Sequence, residues 1–281
     1  LREHGHTARI LVLGAPAPSK VPAYAEYNLD LTVPSPAVAD AVIQHACPEA
    51  ELRVHVLVDT GMGRLGLPPG DVPTILSRLA ETPGVTLAGL WTHFATSDVP
   101  GSDFARTQLS RFQAVVDDLD VPVEHVHAAN TGALLTLEES VHRFSPSLVR
   151  SGIALYGLAA TPKLATRLNL RPAMRLTARV TQLKTVPAGT SISYGARWQA
   201  SQPTRIATLG VGYGDGYPRR LSNTATVRPS GPTVYDVAQW SETIPYEICC
   251  GVSPRVPRHY VGPEAPAVAT NGASRHSPPG T

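Results

Sequence analysis

The feature that most constrains this chain is an alternation running through its first 160 residues. Short apolar strands are followed by segments whose apolar residues recur at helical spacing. Strand segments lie at residues 9–14, 29–33, 52–59, 87–93, 125–130 and 148–157, with helical segments at 36–46, 71–81 and 102–118. In the last of these helices, Phe104, Leu109, Phe112, Val115, Val116 and Leu119 share one face. Strand–helix alternation with short connections makes the strands parallel, because each helix carries the chain back across the sheet. The expected fold class is α/β, a (β/α)8-type barrel with about six strand units. A closed barrel needs eight strands and typically about 250 residues. Two units are therefore expected ahead of Leu1, and the chain reads as N-terminally truncated. Its methionines, Met62 and Met174, also leave it without an initiator.

After residue 160 the period changes. A stretch at 161–172 carrying Pro and Arg reads as a linker, and residues 173–260 read as a mostly β domain. Its strand segments are 174–183, 192–194, 204–211 and 224–227. Residues 261–281 have little to bury and read as a disordered tail. With 24 basic and 22 acidic residues, the charge balance argues against a nucleic-acid binder. No apolar run approaches the roughly 20 residues that span a bilayer, and Leu1 onward has no signal-peptide layout. The three cysteines, Cys47, Cys249 and Cys250, do not make a disulfide framework. A reducing, cytoplasmic setting is expected.

Polar residues cluster at the carboxyl ends of the strands, where parallel α/β enzymes place their chemistry. Asp59-Thr60-Gly61-Met62-Gly63-Arg64 bends sharply and presents a guanidinium; a tight turn with a solvated arginine is the plain alternative. His93, in Thr92-His93-Phe94, is an acid, a base, an orienter or a structural histidine. Asn130-Thr131 starts a helix, either as an ordinary cap or as an anion site. Arg150, inside an apolar segment, needs a partner, which is a salt bridge or a ligand atom. In the second domain, Tyr194 is either a turn aromatic or a base activated by cationic neighbours. Metal-ligand spacing, a phosphate loop and a nucleophile elbow are absent from the sequence.

Seven segments occur in order: VDTGMGRLG, THFATSD, HAANTGALL, LVRSGIALYGL, SISYGARW, GVGYGDGYPRR and VSPRVPRHY. Together they resemble alanine racemase from Leu1 to about Tyr260. The resemblance implies a pyridoxal-phosphate-dependent isomerase interconverting L- and D-alanine for peptidoglycan. It implies a cofactor-binding barrel, a β domain and a head-to-tail homodimer. It also assigns roles. Arg150 faces the cofactor's ring nitrogen, Arg64 its phenolic oxygen region and the substrate, and His93 the neighbourhood of Arg150. Asn130 belongs to the cofactor site. Thr131, the amides of Gly152 and Ile153, and Tyr246 hold the phosphate. Tyr194, from the partner subunit, is the catalytic base, and Tyr213 lines the substrate's approach.

Three departures stand against that pattern. The family's anchoring lysine, which is also its second base, sits in a V-K-A-x-A-Y-G-H-type motif. The three lysines here, Lys20, Lys163 and Lys184, match none of it. A G-R-I-C-M-D-Q-type segment is missing after Val227, and Leu57 stands where many members carry a lysine near Arg64. The expected function is therefore alanine racemase by family, inactive as written. The alternative is a non-catalytic, pyridoxal-phosphate-binding or structural remnant of one. A barrel-type decarboxylase fits less well, since it places a carboxylate where Arg150 stands.

Overall fold

The computed structural model describes residues 1–99, 101–144, 148–226 and 232–261. Its contacts divide the chain into two units, meeting between Arg175 and Leu176.

The first unit begins with β1 (Leu11–Val12), α1 (Val21–Glu26), β2 (Asp30–Val33), α2 (Pro36–His45) and β3 (Leu52–Val58). It continues through α3 (Val72–Ala80), β4 (Val85–Thr92), α4 (Phe104–Asp117), β5 (His125–His127) and α5 (Thr131–Thr136). Two further short helices follow, α6 (Glu139–His142) and α7 (Pro162–Ala165). The five strands form one parallel sheet in sequence order. This is the incomplete (β/α) barrel that the alternation predicts.

Each strand presents two faces, because side chains alternate at period two. Leu31 and Val33 of β2, Val54, Val56 and Val58 of β3, and Leu90 of β4 point into an apolar layer. There they meet Val38 and Val42 of α2, Leu76 and Leu79 of α3, and Leu109 and Phe112 of α4. Interleaved residues of β2, β3 and β5 are mostly polar and also buried: Asp30, Thr32, Arg53, His55 and His127, with Leu57 the apolar exception on β3. The sheet thus has an oily outer face and a polar inner face. Helix starts follow the local chemistry. At α2, Ser35 accepts from the Val38 amide at 3.4 Å, ahead of Pro36 in the first turn.

One expected strand fails. Residues 148–157 make a single parallel bridge, Arg150 with Asn130, and then a 3-10 helix over Gly152–Tyr156. Gly152 (φ 42°) and Gly157 (φ 75°) take left-handed backbone angles that no continuous strand accommodates. The first strand is also shorter than expected.

The second unit contains β6 (Val180–Val186), β7 (Ser191–Ile192), β8 (Trp198–Gln199) and β9 (Thr204–Leu209). They pair antiparallel as β6 with β9 and β7 with β8. Two helices follow, α8 (Val234–Trp240) and α9 (Pro245–Cys250). Residues 224–226 form no strand. Val227, the gap expected after it, and the tail from residue 262 lie outside the described residues.

Candidate active site

The sequence-selected residues of the first unit converge where its strands end. Asp59 closes the turn after β3: its carboxylate accepts from the amides of Gly61 (2.9 Å) and Gly63 (3.1 Å). Gly61 adopts φ 137°, and a Cβ there would press against the Phe104 ring. The turn leaves Arg64 exposed at its tip. Helix α4 holds the turn from below. Arg111 Nη1 donates to the Thr60 carbonyl at 3.0 Å, and Gln108 Nε2 donates to the Thr60 hydroxyl at 3.3 Å.

Gln108 also donates to the His93 carbonyl at 3.0 Å and accepts from the Ala95 amide at 2.9 Å. One fully buried amide therefore ties together the two loops that carry Arg64 and His93. His93 is half-buried. Desolvation, then the positive charges of Arg150 and Arg64, draw its pKa down to about 4. It is a neutral imidazole at physiological pH.

Asn130 is the helix cap that local chemistry suggests. Its Oδ1 accepts from the Ala133 amide at 2.9 Å and from the Ser97 hydroxyl at 2.8 Å. Thr131 follows, donating its hydroxyl to the Ser151 carbonyl. Gly152 lies against it, since a Cβ on Gly152 would sit 3.4 Å from the Thr131 hydroxyl. Ile153 is buried in the 3-10 turn.

Arg150 is the centre of the cluster, and its partners are neutral acceptors rather than a carboxylate. Nη2 donates to the carbonyls of Thr92 (2.6 Å) and Ala128 (2.9 Å), and Nη1 donates to His127 Nδ1 at 2.7 Å. The guanidinium lies 4.5 Å from the Trp91 ring centre, and that ring stacks on His127. Burial lowers the Arg150 pKa to about 9, so it remains a cation at neutral pH. Its Nε is sealed from solvent and has no hydrogen-bond partner among the described residues. A buried donor on a cation is costly to leave unmet, so it points to an acceptor that the chain does not supply.

The second unit's residues are built separately. Tyr194 sits at the tip of the β7–β8 hairpin, 82% exposed. Its neighbours Ser193 (φ 65°), Gly195 (φ 76°) and Ala196 (φ 46°) take left-handed angles, and two of the three are not glycine. Such backbone strain persists only where the surroundings impose it. Tyr213 opens a 3-10 turn and is exposed. Asp215 fixes that turn, accepting from the Gly212 amide at 2.9 Å and from Arg255 Nε at 2.9 Å. Two sequence-distant motifs, GYGDGYP and VSPRVPRHY, are thereby joined. Tyr246 lies in the first turn of α9.

Lys20 and Lys163 are exposed in or beside short helices of the first unit, and Lys184 is exposed on β6. Leu57 is buried on β3. No group of three or more His, Cys, Asp or Glu among the described residues could hold a metal. No helix among them is long and apolar enough to cross a membrane. The site residues not singled out in the sequence are Gln108, Trp91 and the inner-face pair Asp30 and His55. The period-two interleaving of D-L-T-V and R-V-H-V-L-V was their signal.

Residues 1–160 match the family model of the alanine racemase N-terminal domain, and residues 173–233 that of the alanine racemase C-terminal domain. The chain belongs to the alanine racemase family. The alanine racemase of Symbiobacterium thermophilum is 36% identical over 309 residues, covering 94% of this chain and 81% of the relative. Among solved structures, an alanine racemase from E. faecalis superposes with a TM-score of 0.85 at 30% identity, covering 92% of this chain and 80% of that one. A Bacillus anthracis alanine racemase with bound L-Ala-P gives 0.81 at 29%, with coverages of 93% and 78%. The family's reaction class is isomerisation of amino acids.

Proposed function

We propose that this site is a pyridoxal-phosphate pocket serving alanine racemisation, and that the reading rests chiefly on the orphaned Nε of Arg150. An acceptor lone pair is what a buried Nε–H needs, and an unprotonated ring nitrogen offers one. The strand-end residues of the first unit support the rest of that reading. Thr131 and the amides of Gly152 and Ile153 would hold the cofactor's phosphate, with Asn130 ordering the loop. Arg64 would meet the phenolic oxygen region and the substrate. When bound, the cofactor supplies an electron sink that acidifies the α-hydrogen of an amino acid.

The chain's own residues set how far that sink reaches. Arg150 remains a cation at neutral pH and donates rather than transfers its proton, so it would leave a bound ring nitrogen unprotonated. That would weaken the sink and favour simple proton exchange over side reactions. Neutral His93 sits beside it without adding charge. Tyr194, contributed by a second copy in a homodimer, would hold and move the proton on one face of the substrate. The product would supply peptidoglycan synthesis in the cytoplasm.

Racemisation also needs a proton donor on the opposite face. In the family this is a lysine, and none of the three lysines of this sequence matches its motif. Losing a positioned acid or base costs about 10²–10⁴-fold, so these 281 residues alone are expected to turn over poorly. The test is racemisation of L-alanine by the purified chain with added pyridoxal phosphate, read by enantiomer-resolving chromatography. Product at the buffer-plus-cofactor rate agrees with the low turnover expected of these 281 residues. Rapid racemisation that vanishes in Tyr194→Phe overturns the expected inactivity.

A further inference from the structure

Arg150 and three side chains beneath it form one buried line on the inner face of the sheet. Asp30 starts β2, His55 lies on β3, His127 ends β5, and Arg150 is bridged to Asn130 just beyond β5. Asp30 Oδ2 is 3.2 Å from His55 Nε2, and His55 Nδ1 is 3.1 Å from His127 Nε2. His127 Nδ1 is 2.7 Å from Arg150 Nη1. Asp30 and His55 are each 2% exposed and His127 is fully buried.

The two ends of this line leave no choice of direction. A carboxylate only accepts and a guanidinium only donates. His55 must therefore carry its proton on Nε2, facing Asp30, and its Nδ1 accepts. His127 then carries its proton on Nε2, and its Nδ1 lone pair accepts from Arg150. Both rings are neutral, and both are the same tautomer. Desolvation and the charge of Arg150 agree, holding the His127 pKa near 2. At the outer end, Arg53 Nε stands 3.5 Å from Asp30 Oδ1. Arg53 in turn pairs with Glu124 at 3.0 Å and with Glu51 at 3.5 Å. Room for the His55 ring comes from Gly89 on β4, where any Cβ would overlap His55 Nδ1.

We propose that Asp30 and His55 are positioning residues for Arg150. Through the tautomer of His127 they hold the guanidinium in the pose that leaves Nε free for the cofactor. This rests on the reading of Arg150 as the residue that meets the ring nitrogen. A plain structural role would need only that the line be filled. A positioning role needs its polarity.

Asp30→Asn reverses the polarity while keeping the shape. Its carboxamide oxygen turns to the Arg53 cation and its NH₂ faces His55 Nε2. His55 then protonates on Nδ1, and His127 is driven to Nδ1–H, donor against donor with Arg150. A buried aspartate fixes a histidine tautomer in the same way in serine-protease triads. His55→Gln keeps the original polarity, because its amide can donate to Asp30 and accept from His127. His55→Leu removes it.

The experiment uses the full chain with ¹⁵N-labelled histidine. Ring tautomers are read from long-range ¹H–¹⁵N spectra, and pyridoxal phosphate affinity from an absorbance titration. The expected result is Nε2–H for both histidines in the wild type and in His55→Gln for its remaining His127. Asp30→Asn should switch His127 to Nδ1–H and weaken cofactor binding by about tenfold, the order usual for a lost orienting partner. If Asp30→Asn does not fold, the His55→Gln and His55→Leu pair decides, and equal affinity and tautomer in the two overturns the proposal. His127 remaining Nε2–H in folded Asp30→Asn also overturns it, as does unchanged affinity after the switch. Arg150→Leu separates the two layers. If it binds the cofactor like the wild type while Asp30→Asn still switches His127, the cofactor reading fails and the tautomer relay stands.

Discussion

Replacing Gln108 by Leu should loosen both site loops at once. The substitution nearly conserves volume, so little cavity is created. It removes the donor to the His93 carbonyl, the acceptor for the Ala95 amide and one donor to Thr60, at 3.0, 2.9 and 3.3 Å. A polar group left unmet in a protein interior costs about 1–3 kcal/mol. Thr60 keeps its contact with the Thr92 hydroxyl at 2.8 Å, so two groups carry most of the loss. Both lie at loop edges that water partly reaches, which favours the lower half of that range and a total of about 2–4 kcal/mol. Urea unfolding followed by far-UV circular dichroism measures it, and amide exchange at Ala95 locates it. A loss below about 0.5 kcal/mol, the usual scatter of surface substitutions, with Ala95 exchange unchanged, would refute the role given to Gln108.

Other consequences follow from the same geometry. Gly89→Ala should destabilise the sheet and displace His55, since the new Cβ has no space beside Nδ1; the histidine tautomer spectra and urea unfolding report both effects. Acid should unfold the protein through its neutral histidines. The pKa values of His93 and His127 lie below the ordinary 6.5, at about 4 and about 2, so their contribution is complete above pH 6.5. It declines as pH falls toward 4 for His93 and further for His127, with a ceiling of about 1.4 kcal/mol per pH unit for each group before solvent screening at His93. Urea midpoints between pH 7.5 and 4.5 test this, and a flat profile contradicts it. Tyr194→Phe should leave stability within about 0.5 kcal/mol, because the side chain is 82% exposed; a larger loss in thermal unfolding would mean that the hydroxyl holds the hairpin.

Much of the first unit was legible because its strands and helices are strongly periodic. The segment 52–59 becomes β3 almost residue for residue, and 102–118 becomes α4. The segment 148–157 misled because a short apolar run carries no period of its own, and its two left-handed glycines decide the outcome. The second unit's helices escaped notice for the opposite reason: α8 spans seven residues and α9 six, too short for a face to repeat. The cap at Thr233, with Asp236 three residues on, was the readable sign of α8. At the site, strand-end residues such as His93 and Asn130 stood out because polar groups interrupt apolar runs. Asp30 and His55 were hidden inside the runs themselves. Only the knowledge that the sheet curls around a polar interior turns their alternation into a site.

The central claim is a racemase-family cofactor site whose hold on pyridoxal phosphate comes from Arg150 and its neighbours rather than from a lysine of this sequence. Borohydride reduction of the purified chain with pyridoxal phosphate, followed by peptide mapping, tests it most directly when paired with a binding titration. The account predicts reversible binding that is lost in Arg150→Leu, and no specific lysine adduct. A stoichiometric adduct at Lys20, Lys163 or Lys184, accompanied by racemisation of L-alanine, would contradict it.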